Sequence, residues 1–197
     1  MQKPELTELD QIKLEVAWRV GLWCTRNANN MEVWLAGGFL RDLDNNKPTD
    51  DLDFFLTNLR AINQNMTAEI RRNGADQLKD ELGYIGRGVK DIFVITHSSG
   101  VNGEFQSIKY DVRFYDCPME PIYINFIFLG TSAYEYIQLF PCSISCIGYN
   151  FKSRKPYKTP LYDISVHSKT VYWEGQKESH GEYYEKICRK YSDWKHM

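Results

Sequence analysis

Two aspartates, Asp51 and Asp53, are separated by a single residue and followed at once by the apolar run FFL. In a β-strand, side chains at positions i and i+2 point to the same side and lie roughly 6.5 Å apart. Two carboxylates at that spacing can converge on a divalent metal ion while Leu52 and Phe54 pack into the core. Buried acids are costly unless a cation neutralises them, so this pair is the first candidate for chemistry.

A glycine pair precedes these acids. Gly37 and Gly38 follow the apolar run VWLA and open a short helical segment that carries Arg41 and Asp42. Glycine lets a phosphate group approach the backbone, and a helix start presents free N–H groups to it. Two Mg²⁺ ions about 3.5–4 Å apart can activate an attacking hydroxyl and stabilise a leaving pyrophosphate. The order of glycines, basic residue and paired acids therefore predicts a site for a nucleoside triphosphate and Mg²⁺.

These segments resemble a known signature. Within residues 33–56, GGFLRD followed by DLDFFL is similar to the head domain of the DNA polymerase β-type nucleotidyltransferase superfamily, in particular CCA-adding enzymes and poly(A) polymerases. The resemblance implies a nucleoside triphosphate bound against the glycine pair, with Arg41 near its phosphates. It implies metal ligation by Asp51 and Asp53 and transfer of a nucleotidyl group to a hydroxyl acceptor.

The resemblance also implies a third carboxylate on a later strand beside the one that carries the pair. The best later strand, residues 122–129, has Asn125 as its only polar position, and an amide brings no charge and cannot act as a base. Asp111 on the preceding strand is therefore favoured as the third catalytic acid, with Asp116 and Glu120 as alternatives. A degenerate site with Asn125 in the acid's place stays open. Such a protein would bind nucleotide or a host macromolecule without catalysis.

Size separates this chain from the enzymes it resembles. CCA-adding enzymes and poly(A) polymerases carry helical domains after the head that select base and RNA, whereas fewer than 70 residues follow residue 129 here. The short chain resembles the minimal nucleotidyltransferase-like proteins of phages and of toxin–antitoxin or defence systems. The acceptor is left open between an RNA 3′ end, a protein and a small molecule.

The surrounding pattern predicts an α+β fold with a small mixed sheet flanked by helices and ending in a short hairpin and a helix. Helices are predicted over residues 7–26, 59–72 with an extension over 76–82, 133–140 and 181–194. Strands are predicted over 92–96, 105–115, 122–129 and 143–149. A break is predicted at 117–121, a basic loop at 151–160, and the hairpin over 162–167 and 170–173. Residues 1–140 are expected to form a nucleotidyltransferase-like domain, with 141–197 as a C-terminal extension packed on it.

Composition excludes several classes of protein. With 43% hydrophobic and 25% charged residues, the chain has a globular composition. No apolar run approaches the roughly 20 residues that a membrane helix needs, and the N-terminus lacks a signal-peptide core, so a cytoplasmic protein without a membrane partner is expected. Five scattered cysteines indicate reduced thiols, and Cys142 and Cys146 lack the paired histidines of a zinc site.

Two further interpretations remain open in the sequence. Arg41 and Asp42 can pair with each other instead of serving a phosphate. The predicted last helix places Lys186 and other basic residues among tyrosines, an arrangement that suits single-stranded nucleic acid. An amphipathic helix that packs its tyrosines on the body is the favoured explanation of the same pattern.

Overall fold

The computed structural model describes residues 6–27, 31–57, 64–86, 88–99, 105–115, 117–175 and 180–197, with backbone only for 64–72, 96–99, 105–106 and 117–120. The helices are α1 (Glu8–Asn27), α2 (Gly38–Asp44), α3 (Gln64–Gly83), α4 (Ala133–Gln138), α5 (Pro160–Ser168) and α6 (Gly181–Lys190). The strands are β1 (Glu32–Ala36), β2 (Leu52–Thr57), β3 (Val89–Ser99), β4 (Phe105–Phe114), β5 (Cys117–Leu129), β6 (Ile147–Asn150), β7 (Lys155–Lys158), β8 (Thr170–Val171) and β9 (Lys195–His196).

A seven-stranded mixed sheet organises the chain, in the order β3-β4-β5-β2-β1-β6-β7. Strands β2 and β5 run parallel, and the other neighbouring pairs in this sheet are antiparallel. The predicted α+β class with a mixed sheet is confirmed. The strand predicted over residues 122–129 lies inside the sheet between β4 and β2, as its nearly continuous apolar sequence indicates.

The two faces of the sheet bury different sets of residues. Leu52, Phe54 and other alternate sheet residues pack in a cluster with α1 and α3, and both of these side chains are fully buried. Phe55 points to the opposite face, where it joins a smaller cluster with α4. The alternation of β2 therefore places Asp53, like Phe55, on the α4 side of the sheet.

The predicted start of α1 is confirmed, because Thr7 Oγ1 accepts a hydrogen bond from the Asp10 backbone N–H at 3.1 Å. Within the described residues, no helix is both long enough and apolar enough to cross a membrane. Helix α3 is continuous across the predicted helix over residues 59–72 and its extension over 76–82. The predicted helical residues 59–63 lie outside the described ranges.

The break predicted at residues 117–121 is wrong, since β5 begins at Cys117. Both prolines of this segment fall where the register between β4 and β5 shifts, between the pairs Val112↔Ile122 and Phe114↔Cys117. Proline lacks the N–H that a regular ladder requires, and the irregular register removes that requirement.

The loop predicted at residues 151–160 is also wrong in part, because Lys155–Lys158 forms β7 at the sheet edge. An edge strand tolerates Pro156, and its lysines discourage pairing with another chain. The strand predicted over 143–149 begins later, at Ile147, after a 3₁₀ turn over Ser143–Ser145.

The prediction of a C-terminal hairpin over residues 162–167 and 170–173 is wrong. Residues 160–168 form α5, because Thr159 Oγ1 caps the helix by accepting from the Tyr162 N–H at 3.1 Å and Pro160 occupies a first-turn position that needs no N–H. The strand β8 that follows pairs in parallel with β9 at the chain end. The predicted last helix is present as α6, but it is shorter than expected. The division of the chain at residue 140 stays a prediction.

Candidate functional site

The glycine turn and the paired acids face one cavity of about 470 Å³ on the α4 side of the sheet. Its wall combines backbone of the turn, four charged or amide groups from β2, β5 and the loop before β2, an aromatic side, and two residues of α6. The lining residues are Gly37, Gly38, Arg41, Asp50, Asp51, Asp53, Phe55, Asn125, Phe140, Pro141, Ser145, Tyr183 and Lys186.

Gly37 supplies a backbone conformation that side chains disfavour. Its φ of 79° and ψ of −131° lie in a region that glycine adopts at little cost. A Cβ built at this position would lie 4.0 Å from Asp53 Oδ2 and 3.6 Å from the Phe140 ring, so a side chain here would take up space between the turn and the acid. The Gly37 N–H donates to the Ile147 carbonyl at 3.1 Å, which fixes the turn against β6.

Each of the paired acids has a partner. Asp51 Oδ2 accepts from the Lys109 ammonium at 2.7 Å, and that ammonium lies 4.4 Å from the centre of the Tyr123 ring. Asp53 Oδ1 accepts from the Asn125 side-chain amide at 2.6 Å. Both acids line the cavity, with one carboxylate neutralised by a lysine and the other held by an amide.

Burial raises the pKa of Asp53 to about 6, with the charge of Asp51 acting in the same direction and the hydrogen bond from Asn125 opposing both. A positive charge that enters the cavity would therefore stabilise the ionised form of Asp53.

Asp53→Asn is expected to stabilise the metal-free protein at neutral pH. The folded-state pKa of about 6 lies above the ordinary value of 3.8, so the folded protein binds the proton more tightly than the unfolded chain. Stability therefore falls as pH rises from about 4 to 6, and the full cost, about 2–3 kcal/mol, is present above pH 6. Urea unfolding in EDTA should show the variant more stable than wild type at pH 7.5 and nearly equal at pH 4. A difference that stays constant across this range would contradict the assignment.

Asn125 stands in the position that the resemblance gives to a third carboxylate. Because β5 runs parallel to β2 with Asp53 opposite Asn125, the two side chains lie side by side. Lys109 on β4 is the next residue in the same cross-strand row. The row thus reads acid, amide and ammonium across three strands.

Asp111, the favoured third acid, lies elsewhere. It is opposite Tyr123 on β4, and its two oxygens accept from Arg113 at 3.1 and 3.0 Å. It is not among the residues that line the cavity. Asp116 and the side chain of Glu120 lie outside the described parts of the chain.

Arg41 forms a buried ion pair with its neighbour. Its guanidinium donates to both oxygens of Asp42, at 2.6 and 2.9 Å, and to Ser145 Oγ at 3.1 Å. Asp42 opposes the effect of burial and raises the pKa of Arg41 above its ordinary value. The pairing that the sequence left open as an alternative is present, although Arg41 also lies in the cavity wall.

Lys109, Ser145, Tyr183 and Lys186 were not predicted as site residues. The alternation of β4 puts Lys109 on the same face as Asp111 and is visible in the sequence, but the partner of Lys109 depends on strand register. In the sequence, Lys186 is distinguished only as part of a basic and aromatic helix. Tyr183 packs inward as the favoured explanation expected, and its hydroxyl lies 2.7 Å from Ser145 Oγ.

The donor set fits one divalent cation. Mg²⁺ is commonly held by one or two carboxylates together with substrate phosphate oxygens, and Asp51, Asp53 and the carbonyl oxygen of Asn125 supply ligands of that kind. Across the described ranges, no group of three or more His, Cys, Asp or Glu side chains is arranged to hold a metal ion.

No protein-family model matches the sequence, and no curated protein is significantly similar to it. Solved structures do match. A CCA-adding enzyme in complex with ATP gives a TM-score of 0.56 at 10% identity, over 100% of this chain and 43% of that one. The Thermotoga maritima CCA-adding enzyme complexed with tRNA gives 0.53 at 12% identity, over 94% of this chain and 39% of that one.

A further CCA-adding enzyme, in complex with CTP, matches with a TM-score of 0.53 at 12% identity, over 94% of this chain and 40% of its own. This chain thus spans less than half the length of these structures. The likeness at such low identity concerns the arrangement of the backbone, and the chain has the nucleotidyltransferase fold found in CCA-adding enzymes.

Proposed function

We propose that this protein binds a nucleoside triphosphate in the cavity between β2 and α6 and transfers its nucleotidyl group to a hydroxyl acceptor. The observation that carries the proposal is the meeting of two separate sequence elements in one cavity. Gly37 of the turn lines the same cavity as Asp51 and Asp53, and a Cβ added at Gly37 would lie 4.0 Å from Asp53 Oδ2. Solved CCA-adding enzymes with this fold are complexed with ATP or CTP, which supports a nucleotide as the ligand.

The lining residues give the cavity a polar part and an apolar part. The carboxylates of Asp51 and Asp53 would hold one Mg²⁺, which when bound supplies positive charge to the phosphates and to the leaving pyrophosphate. The Gly37 turn leaves room for a phosphate to approach the backbone. Phe140 and Phe55 provide an apolar wall beside these polar groups.

A second function is supported by the partners of the two acids. Asn125 stands beside Asp53, and Lys109 neutralises Asp51. A site in which an amide replaces the third acid and an ammonium already balances one carboxylate suits a protein that binds nucleotide without transferring it. This nucleotide-binding protein is the alternative to the enzyme.

The two functions are separated by one experiment. Purified protein is incubated with each α-³²P-labelled nucleoside triphosphate, Mg²⁺, and in turn total RNA, protein extract and metabolite extract as acceptor. Transfer of label by wild type, with loss of at least 100-fold in the double variant Asp51→Asn and Asp53→Asn, supports the enzyme. Triphosphate binding without transfer supports the alternative, and absence of both contradicts the proposal.

The control variant is Asp193→Asn. Asp193 is an acid like the pair, its side chain is 55% exposed, and it pairs with Lys47 away from the cavity lining. Its transfer rate and its nucleotide affinity should equal those of wild type. A loss as large as that of the double variant would show that net charge, and not the site, determines the result.

An RNA acceptor is a specific expectation, since a CCA-adding enzyme with this fold is complexed with tRNA.

A further inference from the structure

We propose that Lys186 of α6 is the cation that binds the triphosphate chain in this cavity, an inference that rests on the proposed function. Lys186 lines the cavity and its side chain is 50% exposed. Its ammonium lies 3.2 Å from Asp50 Oδ2. An ammonium carries three N–H donors, so this contact leaves donors available for phosphate oxygens.

Arg41, the cation that the sequence predicts for this role, is committed elsewhere. Its side chain is 2% exposed, and both Asp42 oxygens accept from it. Withdrawing it toward a phosphate would leave the Asp42 carboxylate, which is fully buried, without its main counter-charge. Arg41 therefore stays paired with Asp42, and the phosphates need another cation.

Lys190 fixes the helix that presents Lys186. Its ammonium lies 2.6 Å from Asp42 Oδ2, 2.7 Å from Asp50 Oδ2 and 2.9 Å from the Pro48 carbonyl, so each of its three protons has an acceptor. Lys186 precedes Lys190 by four residues and lies on the same face of α6. The helix thus places Lys190 in a partly buried group of ion pairs and Lys186 at the cavity.

The charges around the cavity favour this assignment. Arg41 balances Asp42, and Lys190 balances Asp50, since Asp50 accepts from Lys190 at the shorter distance. Lys186 also pairs with Asp50, but it is the most exposed of these three cations, with 50% of its side chain exposed against 14% for Lys190 and 2% for Arg41. Because a triphosphate brings several negative charges next to the carboxylates of Asp51 and Asp53, a cation at this position offsets part of their repulsion.

The test compares Lys186→Ala, Lys186→Arg and wild type, with Arg189→Ala as the matched control. Arg189 is a cation on the same helix, is exposed, and does not line the cavity. Binding of ATP, AMP and inorganic tripolyphosphate is measured by calorimetry with Mg²⁺ present, and thermal unfolding checks that each variant is folded. Loss of a charge-assisted contact predicts at least tenfold weaker binding of ATP and tripolyphosphate by Lys186→Ala.

AMP binding should change less than twofold in Lys186→Ala. Lys186→Arg should retain most of the affinity for ATP, and Arg189→Ala should match wild type. An unchanged ATP affinity in Lys186→Ala, or an equal loss in Arg189→Ala, overturns it while the proposed function stands. Tripolyphosphate binding that depends on Lys186, in a protein that does not bind ATP, supports the inference and contradicts the proposed function. Absence of binding to either ligand overturns both.

Discussion

Asp42→Ala is expected to lower the free energy of unfolding by about 3–5 kcal/mol, the usual cost of removing one partner of a buried ion pair. The Asp42 side chain is fully buried and accepts from Arg41, Lys190 and the Tyr191 hydroxyl. Its removal leaves the guanidinium of Arg41 buried, with Ser145 at 3.1 Å and Asp50 at 3.4 Å as its remaining partners. Neither replaces the two-point contact with Asp42.

The measurement is urea unfolding at pH 7, supported by thermal unfolding. At roughly 2–4 °C per kcal/mol for a chain of this length, the midpoint should fall by about 6–20 °C. Arg26→Ala is the control, because Arg26 pairs with Glu81 at 2.6 Å but its side chain is 56% exposed. An exposed pair contributes about 0–1 kcal/mol. If the two variants lose equal stability, Asp42 does not anchor the site as the contacts indicate.

Asn125→Asp is expected to make the protein depend on a divalent cation for stability. The substitution replaces an amide donor, 2.6 Å from Asp53 Oδ1, by a carboxylate, so the hydrogen bond is lost and two like charges meet. In EDTA we expect a loss of about 1–3 kcal/mol, the cost of a buried polar group that loses its partner. A bound metal should reverse this loss, because three carboxylates then surround one cation.

Manganese titration followed by electron paramagnetic resonance, together with unfolding in EDTA and in Mn²⁺, tests both parts. The expected results are affinity for Mn²⁺ at least tenfold above wild type and, at 100 times the dissociation constant, stabilisation by about 2.7 kcal/mol. Asn125→Leu is the control, since it also removes the amide but offers no metal ligand. Equal metal affinity in wild type and Asn125→Asp would refute the assignment of this position to a missing acid.

The sequence predicted much of the fold correctly where local pattern decides it. The alternation of β2 correctly assigned Leu52 and Phe54 to the core, and the apolar run of β5 correctly assigned that strand to the sheet interior. It failed at residues 162–167, which were predicted as part of a hairpin but lie in α5. The cap formed by Thr159 and the proline after it start this helix.

The site residues also divide into those that local sequence predicts and those that it does not. The glycine turn and the acids were found from their order in the chain, because residue type and short spacing carry that information. Lys109 and Asn125 reach the acids over sequence separations of 58 and 72 residues, and no local signal gives such a register. Asp111 is favoured in the sequence as the third acid because the strand expected to carry that acid offers only Asn125, but Asp111 lies on β4 and pairs with Arg113.

By itself, the sequence determined that a glycine turn, a basic residue and two acids occur in the order typical of a nucleotidyltransferase head, and that the acids lie beside a buried strand. The tertiary structure decided which cation is available to a ligand. Arg41 is closed off by its own neighbour, whereas Lys186 reaches the cavity from a helix almost 150 residues later in the chain. The physical reason is that charge pairing depends on distance and burial in the folded chain, and neither is encoded by local spacing.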